Sequence, residues 1–222
     1  MLHLTEISIP RKVVVDRTME VDPLVASDLD YCVKTWMACE PSVACRPWRA
    51  SILRDTVRVT GWRAKPAGWH VEPTGNPGCA TYVGSRTIVL GTGESLTLMG
   101  RFIPLRRCGK VPRDAAQGQP DAKAAYATWL RERLVDVMPF ATLGQILVEG
   151  ASKRRVLRKI AHDRGMTRVR AEAMTVLEAT VSLIVRDPSG VEAWLLRGLG
   201  PQKAFGYGAM IPTLGSDEGS FA

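Results

Sequence analysis

The sequence predicts an α+β protein with two tandem ferredoxin-like (RRM-like) domains. In the first half, strand-like and helix-like segments follow one another as β-α-β-β, and a second α/β series fills the second half. A polar bridge rich in proline and glycine, residues 106–120, separates the two. With 222 residues and 45% hydrophobic content, the chain is large enough for a core in each half. We therefore predict domains over residues 1–108 and 109–222.

The first half begins with an alternating apolar pattern over residues 2–15, which indicates a strand. Asp22-Pro23 resembles an N-cap followed by a first-turn proline, and the apolar spacing beyond it predicts a helix over residues 23–39. Further strands are predicted at residues 52–60, 61–71, 87–90 and 95–105, with a loop at residues 75–78.

The second half contains the best-defined predicted helix, which Asp121 caps. The inner face of this helix is predicted to consist of Ala125, Trp129, Leu130, Leu134 and Val137. After it we predict a strand at residues 142–148, a helix at 152–162, a long strand or hairpin at 167–185, a turn at 187–190, a short helix to residue 196 and a strand at 207–211.

The charge is concentrated in one segment of the chain. The formal net charge is +8, and residues 151–170 contain eight basic side chains and a single acid. As a helix, this segment would have apolar residues on one side and a cationic row on the other, which favours a polyanionic partner such as RNA over a merely solvated face. No pattern typical of a DNA-binding motif is visible. The predicted RNA-binding side chains are Lys153, Arg154, Arg155, Arg158, Lys159, Arg164 and Arg168.

The segment from Gly198 to Gly208 has four glycines and one lysine in eleven residues. Successive backbone N–H groups in such a loop form a concavity that binds anions, although turns of this kind also serve backbone geometry alone. Because the loop follows a predicted helix and lacks a Gly-Lys-Ser/Thr sequence, neither a dinucleotide site nor a P-loop fits.

The cysteines and histidines predict neither a cofactor nor a metal. The five cysteines include no C-x-x-C pair and no histidine at zinc-ligand spacing, which is typical of reduced thiols in the cytoplasm. No signal peptide is evident, and no apolar run approaches the roughly 18 residues that a membrane span needs. We therefore expect a cytoplasmic protein without membrane contact.

Two stretches of the sequence resemble a known family. Residues 177–188 and 196–208 are similar to the C-terminal signature of CRISPR-repeat endoribonucleases of the RAMP superfamily, in particular the Cascade-type enzyme of type I-E and its type IV relatives. Residues 100–104 and 126–134 resemble the mid-chain strand and helix of that family. By this resemblance, Gly198, Gly200, Lys203, Gly206 and Gly208 form an RNA-contacting loop.

The resemblance implies a specific reaction. The family binds the hairpin of a CRISPR repeat and cuts once at its 3′ base without metal. The 2′-hydroxyl attacks the adjacent phosphate and leaves a 2′,3′-cyclic phosphate. The protein often stays on the mature guide RNA as a subunit of a multisubunit effector complex. The expected partners of this chain are therefore repeat RNA and the other subunits of such a complex.

The sequence departs from the family at the catalytic histidine of the first helix. Residues 22–40 contain none, and alignment places Ser27 or Tyr31 at that position. Structural or surface roles are expected for His3, His70 and His162. The remaining catalytic candidates are Arg17, Tyr31, Lys34, Arg46 and Arg49, which favour the type IV branch. A catalytically silent hairpin-binding subunit and an unrelated basic RNA-binding protein stay open as alternatives.

Overall fold

The first half of the chain forms an antiparallel sheet with two helices packed on it. The computed structural model describes residues 1–66, 82–108, 111–161, 167–200 and 203–213. The elements of this half are β1 (Leu2–Pro10), α1 (Arg11–Val21), a 3-10 turn (Pro23–Val25), α2 (Leu29–Cys39), β2 (Trp48–Leu53), β3 (Thr56–Arg63) and β4 (Tyr82–Ile88). The four strands lie in the order β2-β3-β1-β4, and all neighbours are antiparallel.

The second half forms a second antiparallel sheet. Its elements are β5 (Ser95–Phe102), β6 (Leu105–Cys108), β7 (Val111–Asp114), α3 (Ala122–Arg133), β8 (Ala141–Ala161), β9 (Thr167–Val185), α4 (Pro188–Arg197) and β10 (Met210–Pro212). The main sheet has the order β10-β5-β9-β8, and β6 and β7 form a separate hairpin.

Both sheets have the strand order of a ferredoxin-like domain. When the four strands of each main sheet are numbered in chain order, without the β6-β7 hairpin, both sheets have the order 4-1-3-2, which confirms the predicted α+β class. β5 pairs with β9 and β10, so the change from one sheet to the other falls between Ile88 and Ser95. The predicted division at residue 108 does not coincide with this change, and the domain limits stay a prediction.

A continuous hydrophobic core joins the two sheets. Leu2 and Trp62 of the first sheet belong to the same buried cluster as Leu98 and Trp129 of the second half. The indole Nε1 of Trp62 also donates to the Met210 carbonyl at 2.7 Å. A second cluster binds α1 and α2 to the first sheet and includes Ile7, Val14, Val33, Trp36 and Val57. Because burial of apolar surface stabilises both contacts, α2 has a fixed position relative to the second sheet.

The helices near the N-terminus differ from those predicted. The strand predicted over residues 2–15 ends at Pro10. The valines at residues 13–15, which the apolar pattern assigns to that strand, belong to α1 instead. Val14 and Thr18, four residues apart, form the buried face of this helix. The helix predicted over residues 23–39 begins at Leu29, because Asp28 caps it, while Asp22 and Pro23 begin only the 3-10 turn. A local pattern of valines did not distinguish strand from helix.

The turn between β2 and β3 lies earlier than predicted. The strands predicted at residues 52–60 and 61–71 imply a turn near residue 60, whereas the hairpin closes at Arg54 and Asp55. Arg54 adopts a left-handed φ of 52°, which no sequence signal such as glycine marks. The loop predicted at residues 75–78 lies outside the described residues.

The basic segment is a strand, and its predicted helix is wrong. β8 pairs with β9 along almost its whole length. The spacing of apolar pairs fits a helical period, but in the strand Val156 and Leu157 face opposite sides, and each is buried in a separate cluster. Pairing with a distant strand decides the conformation here. Five of the predicted RNA-binding residues therefore lie in a strand and not in a helix: Lys153, Arg154, Arg155, Arg158 and Lys159. Arg168 lies in β9, and Arg164 lies outside the described residues.

Several other predictions for the second half are confirmed, although the strand predicted at residues 207–211 begins only at Met210. Asp121 caps α3 by accepting from the Ala124 N–H at 3.0 Å, and Trp129 and Leu130 are buried beneath the helix as predicted. β9 spans the predicted residues 167–185, and the turn predicted at residues 187–190 is the first turn of α4. Among the described helices, none is long and apolar enough to cross a membrane.

Candidate nucleic-acid interface

The N-terminal end of α2 is attached to the outer edge of β8. Among the described strands, β8 is an edge strand, so its outward backbone groups need another partner. The carboxylate of Asp28 is the partner of one of these groups, because its Oδ2 accepts from the Leu157 N–H at 2.9 Å. Its Oδ1 accepts from the Tyr31 N–H of α2 at 3.2 Å. Asp28 therefore fixes both the start of the helix and its place on the strand.

Lys34 lies against two aromatic rings beside this contact. Its Nζ is 5.0 Å from the centroid of the Tyr31 ring and 4.5 Å from that of Phe205, and the rings meet edge to face at 4.8 Å. Partial burial, and secondarily the Arg46 guanidinium, lower the pKa of Lys34. The amine is therefore a positioned cation that loses its proton more readily than an ordinary lysine.

A second contact joins α2 to the glycine-rich segment. The hydroxyl of Tyr207 donates to Asp30 Oδ2 at 2.9 Å. Burial raises the pKa of Asp30, and the Arg101 guanidinium opposes this increase. Burial and the neighbouring carboxylate also raise the pKa of Tyr207, so the phenol keeps its proton as the donor.

Two arginines, one from each sheet, make contacts across the junction of the two sheets near Tyr207. Arg101 of β5 is 5% exposed, its Nη1 donates to the Ala50 carbonyl at 3.2 Å, and its Cζ lies 5.5 Å from the Tyr207 ring centroid. Arg49 of β2 donates from Nη1 to the sulfur of Met99 at 2.7 Å. Thioether sulfur is a weak acceptor, so this contact satisfies the guanidinium poorly.

The predicted catalytic residues do not all come together. Tyr31 and Lys34 are adjacent, and exposed Arg46 is near enough to lower the pKa of Lys34. Arg17 lies apart on α1, where it donates to Glu20 at 2.9 Å and interacts with Cys39 at the far end of α2. The structure thus forms one group around Lys34 and leaves Arg17 outside it.

The described basic side chains of β8 are open to solvent. Lys153, Arg154 and Arg155 are exposed, and Lys153 Nζ is 3.9 Å from Asp114 Oδ2, a distance typical of a weak surface pair. Because side chains alternate along the strand, Arg155 shares the face of Leu157, which packs on Tyr31 of α2, and Arg154 shares the face of Val156, which packs with Tyr207. Arg155 therefore lies on the side of β8 that packs against the Lys34 group.

All four glycines of the predicted loop have a left-handed φ, and at two of them packing also excludes a side chain. Gly206 and Gly208 have φ values of 79° and 82°, in the left-handed region. A Cβ at Gly206 would collide with the Trp48 ring, and one at Gly208 with the Leu199 carbonyl oxygen. Packing therefore accounts for these two positions, and their contact with RNA stays a prediction.

The other predicted loop residues divide between packing and open surface. Gly198 lies against Pro47, whereas nothing described lies within 4 Å of a Cβ built on Gly200. Lys203 Nζ donates to the Arg197 carbonyl at 2.8 Å and so caps the C-terminal end of α4. Gly200 has a left-handed φ of 74°, and the contacts of all three residues with RNA stay a prediction.

The glycine-rich segment and the basic strand are adjacent. Tyr207 shares a buried cluster with Val156, and Phe205 packs against the cluster of Leu157 and Tyr31. The two elements that the sequence linked to a polyanion therefore lie on the same side of the molecule, together with the start of α2.

Sequence reasoning missed several residues of this group. They are Asp28, Asp30, Arg101, Phe205 and Tyr207. A signal existed for two of them: Ser27-Asp28 is as good a capping sequence as Asp22-Pro23, and Arg101 stands in an otherwise apolar strand. The aromatic residues between the glycines carried no comparable signal.

The described histidine has a structural position. His3 is buried in β1, with its Nδ1 3.2 Å from the Thr87 hydroxyl, while His70 and His162 lie outside the described residues. Within the described part of the chain, no three His, Cys, Asp or Glu side chains are grouped as metal ligands would be.

Comparisons with known proteins identify the family. A sequence profile described as CRISPR associated protein matches residues 97–211, just over half of the chain, whereas no curated protein matches the sequence significantly. The fold is similar to CRISPR endoribonuclease Cse3 bound to a 19 nt RNA, with 22% identity, a TM-score of 0.60 and coverage of 96% of this chain and 100% of that one. It also resembles Thermus thermophilus Cse3 bound to an RNA representing a pre-cleavage complex (21%, TM-score 0.54, 96% and 99%) and a chain of a CRISPR RNA-guided surveillance complex (14%, 0.53, 95% and 98%). This chain is a member of the family of CRISPR associated proteins.

Proposed function

We propose that this protein is an endoribonuclease that matures CRISPR RNA. It binds the hairpin of a repeat, cuts once at the 3′ base of that hairpin, and stays on the product as a subunit of a type I-E or type IV effector complex. The observation that carries the proposal is the packing of Tyr31 and Phe205, the two rings that hold Lys34, against Leu157 of the basic strand β8, in a chain of this family.

The basic strand provides the binding surface for the hairpin. Arg154 and Arg155 contact phosphates of the duplex, which fixes the RNA in register and makes affinity fall with salt. Gly200, at which a Cβ would meet no described atom, contacts a further phosphate through its backbone N–H. This surface recognises the shape of a folded RNA and its backbone rather than base sequence alone.

The reaction is an internal transfer at one phosphodiester. The 2′-oxygen attacks phosphorus, the bond from phosphorus to the 5′-oxygen breaks, the 2′-hydroxyl gives up its proton, and the leaving 5′-oxygen takes one up. Lys34 and Arg46 stabilise the charge on the pentacoordinate phosphorus, and Tyr31 holds the Lys34 amine in place. No step requires a metal.

Cleavage of a cognate repeat tests the function. With EDTA present and enzyme at stoichiometric concentration, we expect one cut that leaves a 2′,3′-cyclic phosphate and a 5′-hydroxyl. A repeat with a single 2′-deoxy nucleotide at the cut site is the matched control and must stay intact. Tight binding with intact RNA at every pH would instead support a silent subunit, and equal affinity for an unrelated stem-loop would support a general RNA-binding protein.

Single substitutions test the chemistry. Lys34→Ala and Arg46→Ala are expected to slow cutting by about 10²-fold each while hairpin affinity persists, since each removes one charge from the transition state. Arg17→Ala is the control, because Arg17 is paired with Glu20 away from the group. Lys34→Arg keeps the charge, so its rate relative to the original enzyme rises as pH increases through the lowered pKa of Lys34.

The silent subunit is the second candidate function. It is favoured by the lack of histidine in residues 22–40. Under this alternative, the same surface holds the hairpin, and the substitutions at Lys34 and Arg46 change affinity but no rate.

A further inference from the structure

Arg101 is a buried cation with unused donors. Its side chain is 6% exposed, its Nη1 donates to the Ala50 carbonyl, and its Nε is 3.5 Å from Glu178 Oε1, outside good hydrogen-bond geometry. Within the described residues, Nε and Nη2 have no hydrogen-bond partner. Buried guanidinium N–H groups are normally paired, because leaving them unpaired costs free energy.

A purely structural role explains only part of this arrangement. The bond to Ala50 and the stacking on Tyr207 join β5 to β2 and to the glycine-rich segment, and they use Nη1 and the face of the guanidinium. They do not use Nη2. An apolar side chain would fill the same space without an unpaired donor.

Two further arginines, Arg49 and Arg154, lie near Arg101. Arg49 is half-buried with only a sulfur acceptor at Nη1, and Arg154 is exposed on β8. Arg49 precedes Ala50, whose carbonyl accepts from Arg101, and Met99, which contacts Arg49, lies two residues before Arg101 in β5. Arg154 faces the same side of β8 as Val156, which packs with Tyr207. In agreement with this placement, Arg101 and Arg154 lower the pKa of Arg49, after the larger effects of burial, which lowers it, and of Glu178, which raises it. Glu178 and Asp30 are the nearby carboxylates, but Asp30 already accepts from Tyr207, and burial disfavours its charge.

We propose that Arg101, Arg49 and Arg154 form a receptor for one phosphate group at the junction of the two sheets. Arg101 provides the buried end of the site with free N–H groups, and Arg49 and Arg154 form its rim toward solvent. Guanidinium groups bind phosphate oxygens through paired N–H donors, and a bound anion would also offset the repulsion among the three cations. Resting on the proposed function, the phosphate is a phosphodiester of the RNA backbone beside α2.

Arginine side-chain NMR of the full-length protein tests the receptor. The Nε–H resonance of Arg101, assigned with Arg101→Lys, is followed during titration with inorganic phosphate and, at the same ionic strength, with chloride. We expect a saturable shift with phosphate alone that Arg49→Gln weakens at least about fivefold, as loss of one charge-assisted bond would do. Arg58→Gln, at a surface arginine that pairs with Glu6 on the first sheet, is the matched control and should change nothing.

The repeat hairpin is the second arm of the experiment. A shift of the same resonance on adding RNA supports the backbone phosphodiester as the ligand, and hairpin affinity should then fall in Arg49→Gln but not in Arg58→Gln. RNA that binds without moving the resonance, while inorganic phosphate moves it, would overturn the RNA source and leave a free-phosphate site. No response to either probe overturns the receptor itself. Phosphate binding without RNA binding would contradict the proposed function and leave the receptor standing.

Discussion

The two sheets share a strand order but differ in the length of their strands. In the first sheet the strands have 6 to 9 residues and match one another. In the second, β8 and β9 have 21 and 19 residues, while β5 has 8 and pairs with β9 only over residues 177–184. Residues 152–161 and 167–176 therefore form a two-stranded extension beyond the sheet. Most of the excess positive charge lies in this extension.

In the second half, the buried residues that stabilise the body of the sheet are separate from the exposed cations of the extension. An isolated two-stranded ribbon is marginally stable in water, so the extension needs support from outside its own sheet. Val156 and Leu157 receive that support from Tyr207, Phe205 and α2 of the first half. The contact of Leu157 with Tyr31 and Phe205 also joins the Lys34 group to the basic strand, so one set of interactions both stabilises the extension and forms the candidate site.

The largest expected effect is a loss of unfolding free energy in the body of the second half, which is the part outside the two-stranded extension. Trp129 is 1% exposed, its indole donates to the Leu105 carbonyl at 3.1 Å, and its ring meets Phe102 at 6.4 Å. Trp129→Ala should lower the free energy of unfolding by about 3–5 kcal/mol, measured by urea denaturation. Arg155→Ala, in the extension, should change it by less than about 0.5 kcal/mol. Similar losses in both variants would contradict the separation.

Substitution of two N-cap residues, one in each half, measures how strongly the first half stabilises the extension. Asp121 only caps α3, whereas Asp28 caps α2 and also accepts from the Leu157 N–H. Asp121→Ala should cost about 1 kcal/mol of unfolding free energy. Asp28→Ala should cost about 1–2 kcal/mol more, because it also leaves a strand N–H without its acceptor. RNA cleavage should fall only in Asp28→Ala, and equal costs in the two variants would count against the contact.

Features that depend on neighbouring residues were predicted better than features that depend on contacts between residues far apart in the chain. The capping of α3 by Asp121 and the span of β9 follow from short-range patterns and were predicted correctly. The basic segment was predicted as a helix, since its apolar spacing fits one, and only pairing with β9 and burial on both faces of β8 make it a strand. Arg101 and Asp30 acquire their roles from residues far away in the chain, which periodicity does not reveal.

The charge of the extension predicts a smaller effect on binding. Arg155→Ala should weaken hairpin binding and lower the slope of log affinity against log salt by about one, since one phosphate contact is lost. Lys123→Ala, at an exposed lysine of α3, is the matched control and should leave the slope unchanged. Fluorescence anisotropy at several salt concentrations measures both. Equal slopes in the two variants would show that the extension is no more involved than any other cationic surface.

The smallest expected effect concerns the buried carboxyl that joins α2 to the glycine-rich segment. Burial raises the pKa of Asp30 in the folded protein above the ordinary value of 3.8. The folded state therefore binds this proton more tightly than the unfolded state does, so stability falls as pH rises from the ordinary value through the raised pKa. Asp30→Asn removes the titration, and the stability of the original protein relative to this variant should decline over that window and then become constant. Urea unfolding between about pH 4 and about pH 7 tests the sign, and a relative stability that increases with pH would show that Arg101 and Tyr207 outweigh burial at this carboxyl.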